Sequence, residues 1–252
     1  MARLALPSVT LVAATSINVA ATVAALDRCL EVADFGDRIL FTDSEPAMSS
    51  AIRRVTVPAM RSVAAYSDFM IRELIHHVRT DHVLIVQWDG FILNARAWDA
   101  NFLDYDYIGA PWPQFTDGYD VGNGGFSLRS RRLLEACSDP LFDFVGVEDV
   151  AIARNNRRRL EDRHGIRFAD RATAARFSFE RMVPRQPTFG FHGIFNLPDV
   201  LGLDEFWALY RNLDERTMTP RDIRLLFKRL GLGEQPLRRQ ARFAFENYRR
   251  WF

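Results

Sequence analysis

The chain has 252 residues, 48% of them hydrophobic, which suits one large domain or one domain with a small extension. Its 33 basic and 32 acidic residues leave a net charge of +1, so no global field draws it to nucleic acid, and its only lysine is Lys228. Cys29 and Cys137 form neither a metal spacing nor a disulfide framework, no signal peptide opens the chain, and no run of about 18 apolar residues exists, so the expectation is a cytoplasmic protein.

The first element is the β-branched run SVTLVAATS at 8–16, which reads as a strand buried on both faces. Asn18 stands where a helix cap belongs, and Val19, Val23, Leu26 and Leu30 follow at helical spacing. DRILFTDS at 37–44 is the next strand, giving a β-α-β unit with a parallel pair. A second amphipathic helix is predicted over 66–78. The strongest strand, DHVLIVQWDGFIL at 81–93, turns polar at Gln87, and YDYIGAPW at 105–112 is a further short strand. The glycine-rich stretch VGNGGFSLRS at 121–130 precedes a helix starting near Ser130, and 144–165 is a loop entering a helix. Residues 166–180 read as strand, turn and strand, and FGFHGIFN at 189–196 as an aromatic, Gly-rich loop. Alternating strands and helices predict an α/β fold with a mostly parallel sheet over 1–200; residues 201–252 read as a helical appendage.

In an open α/β sheet, ligands gather at the carboxyl ends of the strands. Thr15 and Ser16, Asp43 and Ser44, and Gln87, Trp88 and Asp89 all fall there; a carboxylate in such a place is also an ordinary turn or cap residue. Asp89 suits a hard cation such as Mg²⁺ or Mn²⁺ bridged to a diphosphate. His192, bracketed by glycines, is a second ligand or a packing residue. Glu148 and Asp149 suit capping of a helix N-terminus, a general base, or both. Gly122, Gly124 and Gly125 around Asn123 are not a dinucleotide fingerprint and lack a Walker lysine; they make either a tight turn or a bare backbone that cradles a sugar or phosphate oxygen.

The order of these motifs resembles the GT-A glycosyltransferases. LIVQWDGFIL, YDYIGAPW, VGNGGFSLRS, EDV and FGFHG together are similar to the DUF5672 type, a bacterial and fungal family assigned to that fold, over roughly residues 8–196. The resemblance implies a GT-A-like, Rossmann-like α/β/α sandwich with a C-terminal helical extension. It implies an inverting transferase that moves a sugar from a nucleotide-diphosphate sugar, foremost a UDP-sugar, to a hydroxyl on a glycan, a lipid-linked or a small-molecule acceptor. By the same match Asp89 and His192 hold Mn²⁺ or Mg²⁺, Asp149 is the base, and Glu148 binds acceptor or sugar hydroxyls. Gly122, Asn123, Gly124 and Gly125 shape the donor pocket; Asp43 reads the nucleobase, flanked by Thr15 and Ser16. Gln87 departs from the acidic DXD pattern of GT-A enzymes, which falls on Gln87-Trp88-Asp89, and its amide is a weaker ligand than a carboxylate. Either Asp89 and His192 suffice with the diphosphate, or Arg129 neutralises the leaving group.

Two other functions compete with transfer: a non-catalytic sugar-nucleotide or glycan-binding module, for which Gln87 argues, and a nucleotidyltransferase, which wants a basic N-terminal phosphate loop that LVAATSINVA does not provide. The basic, aromatic tail RRQARFAFENYRRWF either lies on an anionic membrane, at the inner face, or packs on the domain or on a second copy.

Overall fold

The computed structural model describes residues 3–144 and 146–250. The chain divides into two compact units, Met1–His192 and Gly193–Phe252, a division eight residues ahead of the boundary expected from the helical pattern.

The first unit is built on one six-stranded sheet: β1 (Leu4–Ala14), β2 (Ala33–Thr42), β3 (Arg53–Thr56), β4 (His82–Val86), β5 (Tyr107–Ile108) and β6 (Phe126–Ser130), in spatial order β3-β2-β1-β4-β6-β5. Strands β3, β2, β1 and β4 are mutually parallel, whereas β6 runs antiparallel to both β4 and β5. The expected mostly parallel α/β sheet is therefore present. The apolar run at Val9–Ala14 is buried throughout because β1 is flanked by β2 and β4 and covered on both faces.

One core layer packs Phe69, Met70, Leu74 and Ile75 on Val12, Ile39 and Ile85, and another packs Leu133, Ile152 and Leu160 against Tyr107 and Phe168. Helix α1 (Val19–Val32) makes the predicted crossover. Asn18 sits at its cap position with a left-handed backbone, φ 56°, and its side chain makes no capping bond.

Several elements differ from the sequence expectation. Helix α2 (Val63–Asp68) starts earlier than predicted, where the Ser62 hydroxyl accepts the Ala65 N–H at 3.1 Å. It runs on into a π turn at Phe69–Glu73, which lets the consecutive apolar residues Phe69, Met70 and Ile71 all be buried. The strand expected over 81–93 ends at Val86: the chain turns back through a bridge between Gln87 and Gly90. The strand at 105–112 breaks at Gly109, where a Cβ would lie 1.6 Å from the Gly122 carbonyl oxygen, and resumes as Ala110–Pro111 paired with Val121–Gly122. Phe126–Ser130, the tail of the glycine stretch, forms β6, after which Ser130 caps α3 (Arg131–Ala136) as expected. The predicted strand-turn-strand at 166–180 instead contains helix α5 (Arg171–Phe177), after α4 (Arg157–His164); the Asp170 carboxylate accepts the Thr173 N–H at 2.8 Å and starts it.

The second unit is helical: α6 (Leu203–Arg211), α7 (Pro220–Leu230) and α8 (Pro236–Asn247). Thr219 and Asp222 close a reciprocal cap on α7. Phe206, Tyr210, Ile223, Leu226, Leu230 and Phe243 are among its buried side chains, and Asn247 donates to the Tyr210 hydroxyl at 2.8 Å. Trp251 and Phe252, which the predicted final helix includes, lie outside the described residues.

Candidate active site

Four parallel strands, β3, β2, β1 and β4, deliver their carboxyl ends to one edge of the sheet, and antiparallel β6 starts from that same edge. Val86 pairs with Phe126, so Gln87–Asp89 leaves where the glycine loop arrives. A second closure brings in the late histidine: Ile92 bridges to Gly190, and the Gly190–Phe191 strand ends at His192. Sequence positions about a hundred residues apart thus share one edge.

His192 lies with Nε2 3.3 Å from Asp89 Oδ1 and 3.2 Å from Gln87 Oε1, while its Nδ1 is 3.4 Å from Glu180 Oε1. Burial pulls the imidazole pKa down, but the two carboxylates prevail and hold it at about 10. Gln87 turns its amide N–H to the Tyr66 hydroxyl at 3.1 Å, so its oxygen faces His192.

The other half of the site is the acidic pair. Asp149 Oδ2 accepts the Gly124 N–H at 3.1 Å, and Oδ1 accepts the Val150 N–H at 2.7 Å. Burial and the Glu148 charge together push the Asp149 carboxyl up to about 6, against these hydrogen bonds and Arg129. Glu148 is 3% exposed and takes Arg129 Nη2 at 3.0 Å, while its backbone N–H donates to Ser67 Oγ at 3.2 Å.

The glycines join the two halves. A Cβ on Gly125 would fall 2.1 Å from His192 Nε2, and one on Gly124 would fall 1.9 Å from Glu148 Oε1. What comes close to this backbone is the protein's own site residues. The expectation that the missing Cβ atoms make room for a sugar is corrected for these two positions. Gly122 lies likewise against Trp112, with a Cβ 2.0 Å from the ring. Asn123 holds the bend in left-handed backbone, φ 73°, and accepts the Gly125 N–H at 2.8 Å.

Asp89, Asp149 and His192 therefore surround one loop. Trp88 is half-buried beside them. Thr15, Ser16 and Asp43 reach the same edge at the ends of β1 and β2 and are held locally: Thr15 bonds to the Ile17 carbonyl, Ser16 accepts Met60 N–H at 2.8 Å, and Asp43 lies 3.7 Å from Arg61. Arg129 is corrected. It has no exposed surface, and Glu148 and the Ser127 hydroxyl hold its guanidinium, so it cannot meet a leaving group. Glu148 is likewise spent on Arg129 at Oε1 rather than open to a substrate hydroxyl. Tyr66, Ser67 and Glu180 are contacts that sequence reasoning missed; their partners are distant in the chain, and no local pattern marks them.

Among the described residues no group of three or more His, Cys, Asp or Glu side chains could hold a metal. Asp89, His192 and the Gln87 amide still offer one nitrogen and two oxygens grouped around Nε2. A divalent cation with bonds of roughly 2.1–2.2 Å sets adjacent donors about 3 Å apart, so this set fits a partial shell. The imidazole must release its proton to join it.

The sheet and its edge define the class: an α/β protein with a mostly parallel sheet and a cluster of polar side chains at the carboxyl ends of its strands. Within that class the chain belongs to the DUF5672 family, proteins of unknown function, whose model matches residues 49–192. No curated protein matches its sequence. Among solved structures it is similar to the mannosyltransferase PcManGT from Pyrobaculum calidifontis in complex with GDP-Man and Mn2+, at 11% identity and TM-score 0.44, over 97% of this chain and 77% of that one. It is also similar to a glycosyltransferase involved in the glycosylation of the major capsid of PBCV-1, at 11% identity and TM-score 0.47, over 73% and 91%. The apo-form glycosyltransferase GlyE of Streptococcus pneumoniae TIGR4 matches at 11% identity and TM-score 0.42, over 76% and 54%.

Proposed function

We propose that the protein transfers a glycosyl group from a nucleoside-diphosphate sugar to an acceptor hydroxyl, with inversion, using Asp149 as general base. The observation that supports this most is the placement of two opposite chemistries on one loop. Gly124 N–H holds Asp149, a carboxyl poised near neutrality, and Gly125 packs on His192, which faces Asp89.

In the proposed step the acceptor oxygen forms a bond to the anomeric carbon as the bond from that carbon to the diphosphate oxygen breaks. The acceptor proton passes to Asp149. A base with a pKa of about 6 is ionised at pH 7 and still accepts a proton without a large penalty. Gly124 N–H fixes one carboxylate oxygen, and Arg129 clamps the preceding residue, Glu148, so the base points one way. Asp89, His192 and Gln87 would hold Mn²⁺ or Mg²⁺, which when bound neutralises charge on the departing diphosphate.

Gln87 favours a second reading, a binding module that retained the fold and lost the reaction. Its amide contributes no charge where the DXD pattern of GT-A enzymes has an acid. Turnover separates the two. UDP-, GDP-, dTDP- and CMP-sugars are incubated with the protein and a panel of glycan, lipid-linked and small-molecule hydroxyl acceptors, with and without Mn²⁺, and free nucleotide is measured. Release from one donor, lost in Asp149→Asn while that donor still binds, supports transfer. Binding without release by the wild type makes it a binding module.

A further inference from the structure

Helix α8 has three sectors. Phe243 and Asn247 are buried, so one side is packed within the second unit. Leu237, Ala241, Phe245 and Tyr248, spaced four, four and three residues apart, share another side and are all exposed. Their exposure is large: 81% for Leu237, 78% for Phe245 and 56% for Tyr248. Arg238, Arg242 and Arg249 follow three of the four stripe residues by one position, and Glu246 follows the fourth, so a mainly cationic row borders the apolar stripe. Helix α7 and the turn after it add exposed Leu225 and Leu232, with Arg221, Arg224 and Lys228 exposed nearby.

Five of the eleven large hydrophobic residues exposed in the described chain thus fall between Leu225 and Tyr248. Between Arg216 and Arg249 nine cationic residues face three acidic ones. Asp222 is buried in the α7 cap, Glu246 is paired with Arg242, and Arg229 and Arg239 are paired with Asp199 and Asp204, so the positive charge of this face rests on Arg221, Arg224, Lys228, Arg238 and Arg249. Water alone gives no reason to expose a leucine and a phenylalanine on one stripe beside an arginine row. An anionic bilayer supplies both halves of the complement: acyl chains for the stripe and headgroup phosphates for the arginines. No described helix is long and apolar enough to cross a membrane, so the contact would be superficial.

We propose that the C-terminal unit docks on anionic phospholipid membranes through this α8 stripe and its arginine border. The test is co-sedimentation of the full chain with sucrose-loaded vesicles, of phosphatidylcholine alone or with about one third phosphatidylglycerol. The wild type should pellet with the anionic vesicles, stay in solution with the neutral ones, and be released by about 1 M salt. The double variant Leu237→Ser/Phe245→Ser should keep its circular dichroism, because both positions are exposed, and lose partitioning by at least about tenfold. Arg238→Gln/Arg249→Gln should lose roughly tenfold or more on the anionic vesicles. Equal pelleting with neutral vesicles, or none with either, overturns the proposal. So does a dimer in sedimentation velocity that Leu237→Ser/Phe245→Ser turns into a monomer, which would make the stripe a self-association face.

Discussion

The raised pKa that would suit Asp149 as the proposed base costs the folded chain stability. The folded pKa of Asp149, about 6, lies above the ordinary 3.8, so the folded chain holds a proton that the unfolded chain has released across that window. Stability therefore falls as pH rises from about 4 to about 6, by at most about 3 kcal/mol, less to the extent that water reaches the carboxylate. Asp149→Asn removes the charge and keeps an acceptor for Gly124 N–H. The variant should melt higher than wild type at pH 8, match it below about pH 4, and lose about 10²-fold or more in turnover. Wild-type kcat/KM should rise about tenfold per pH unit below 6 and level off above. A flat profile between pH 5 and 7 would sink the assignment of the base. Arg129 and Glu148 form the opposite case, a buried pair with every charge compensated. Arg129→Met strands the Glu148 carboxylate and should cost about 3–5 kcal/mol in urea unfolding, whereas Arg129→Met with Glu148→Leu should recover much of it.

At the scale of elements, the segment carrying His192 is braced by rings. Phe126 of β6, Phe177 of α5 and Phe189 lie within 6.0 Å of one another centre to centre, and Trp98 and Phe102 extend the cluster. Gly190 fits only because it lacks a Cβ, which would be 2.2 Å from the Phe126 ring. Phe177→Ala should cost about 3–5 kcal/mol and lower Tm by roughly 10 °C, read by calorimetry; a loss under about 1 kcal/mol would show that the cluster is not a brace. The sequence made β1 and β4 legible because their apolar, β-branched runs are buried on both sides, and Asp89 legible because it follows such a run. Strand β6 was only half legible, the residues after the glycines reading as a strand or a helix start, because FSLRS buries Ser127 and Arg129, and a buried polar residue is readable only with its partner, Glu148, in view. Helix α5 hid for a different reason: its Phe177 and the following Phe179 suggested strand alternation, while its start depends on the Asp170 cap. The glycine motif was visible as a close approach, but what approaches lies 24 residues away at Glu148 and 67 away at His192.

For the whole molecule, the site should report itself through global stability. A ligand that binds the folded chain alone raises unfolding free energy by RT ln(1 + [L]/Kd), about 2.7 kcal/mol at a hundredfold excess over Kd. For a chain of this length each kcal/mol moves Tm by about 2–4 °C, so saturating donor should shift it by roughly 5–10 °C. Asp89, His192 and Gln87 offer a metal only part of a shell, since the side chains provide one carboxylate, one imidazole and one neutral amide. Under the proposed function, the diphosphate of the donor would complete it. Mn²⁺ alone should therefore shift Tm by less than about 2 °C, nucleoside diphosphate alone by little more, and the two together by more than the sum. That synergy, read by thermal shift at constant ionic strength, is the signature of a cation shared between protein and ligand. Asp89→Asn should remove it and leave the shift from nucleotide alone. Gln87→Asp should increase the shift from Mn²⁺ alone, because it adds the charge that the amide lacks. If Asp89→Asn keeps the full synergy, the cation lies elsewhere and the edge between β4 and β6 is not where the diphosphate sits.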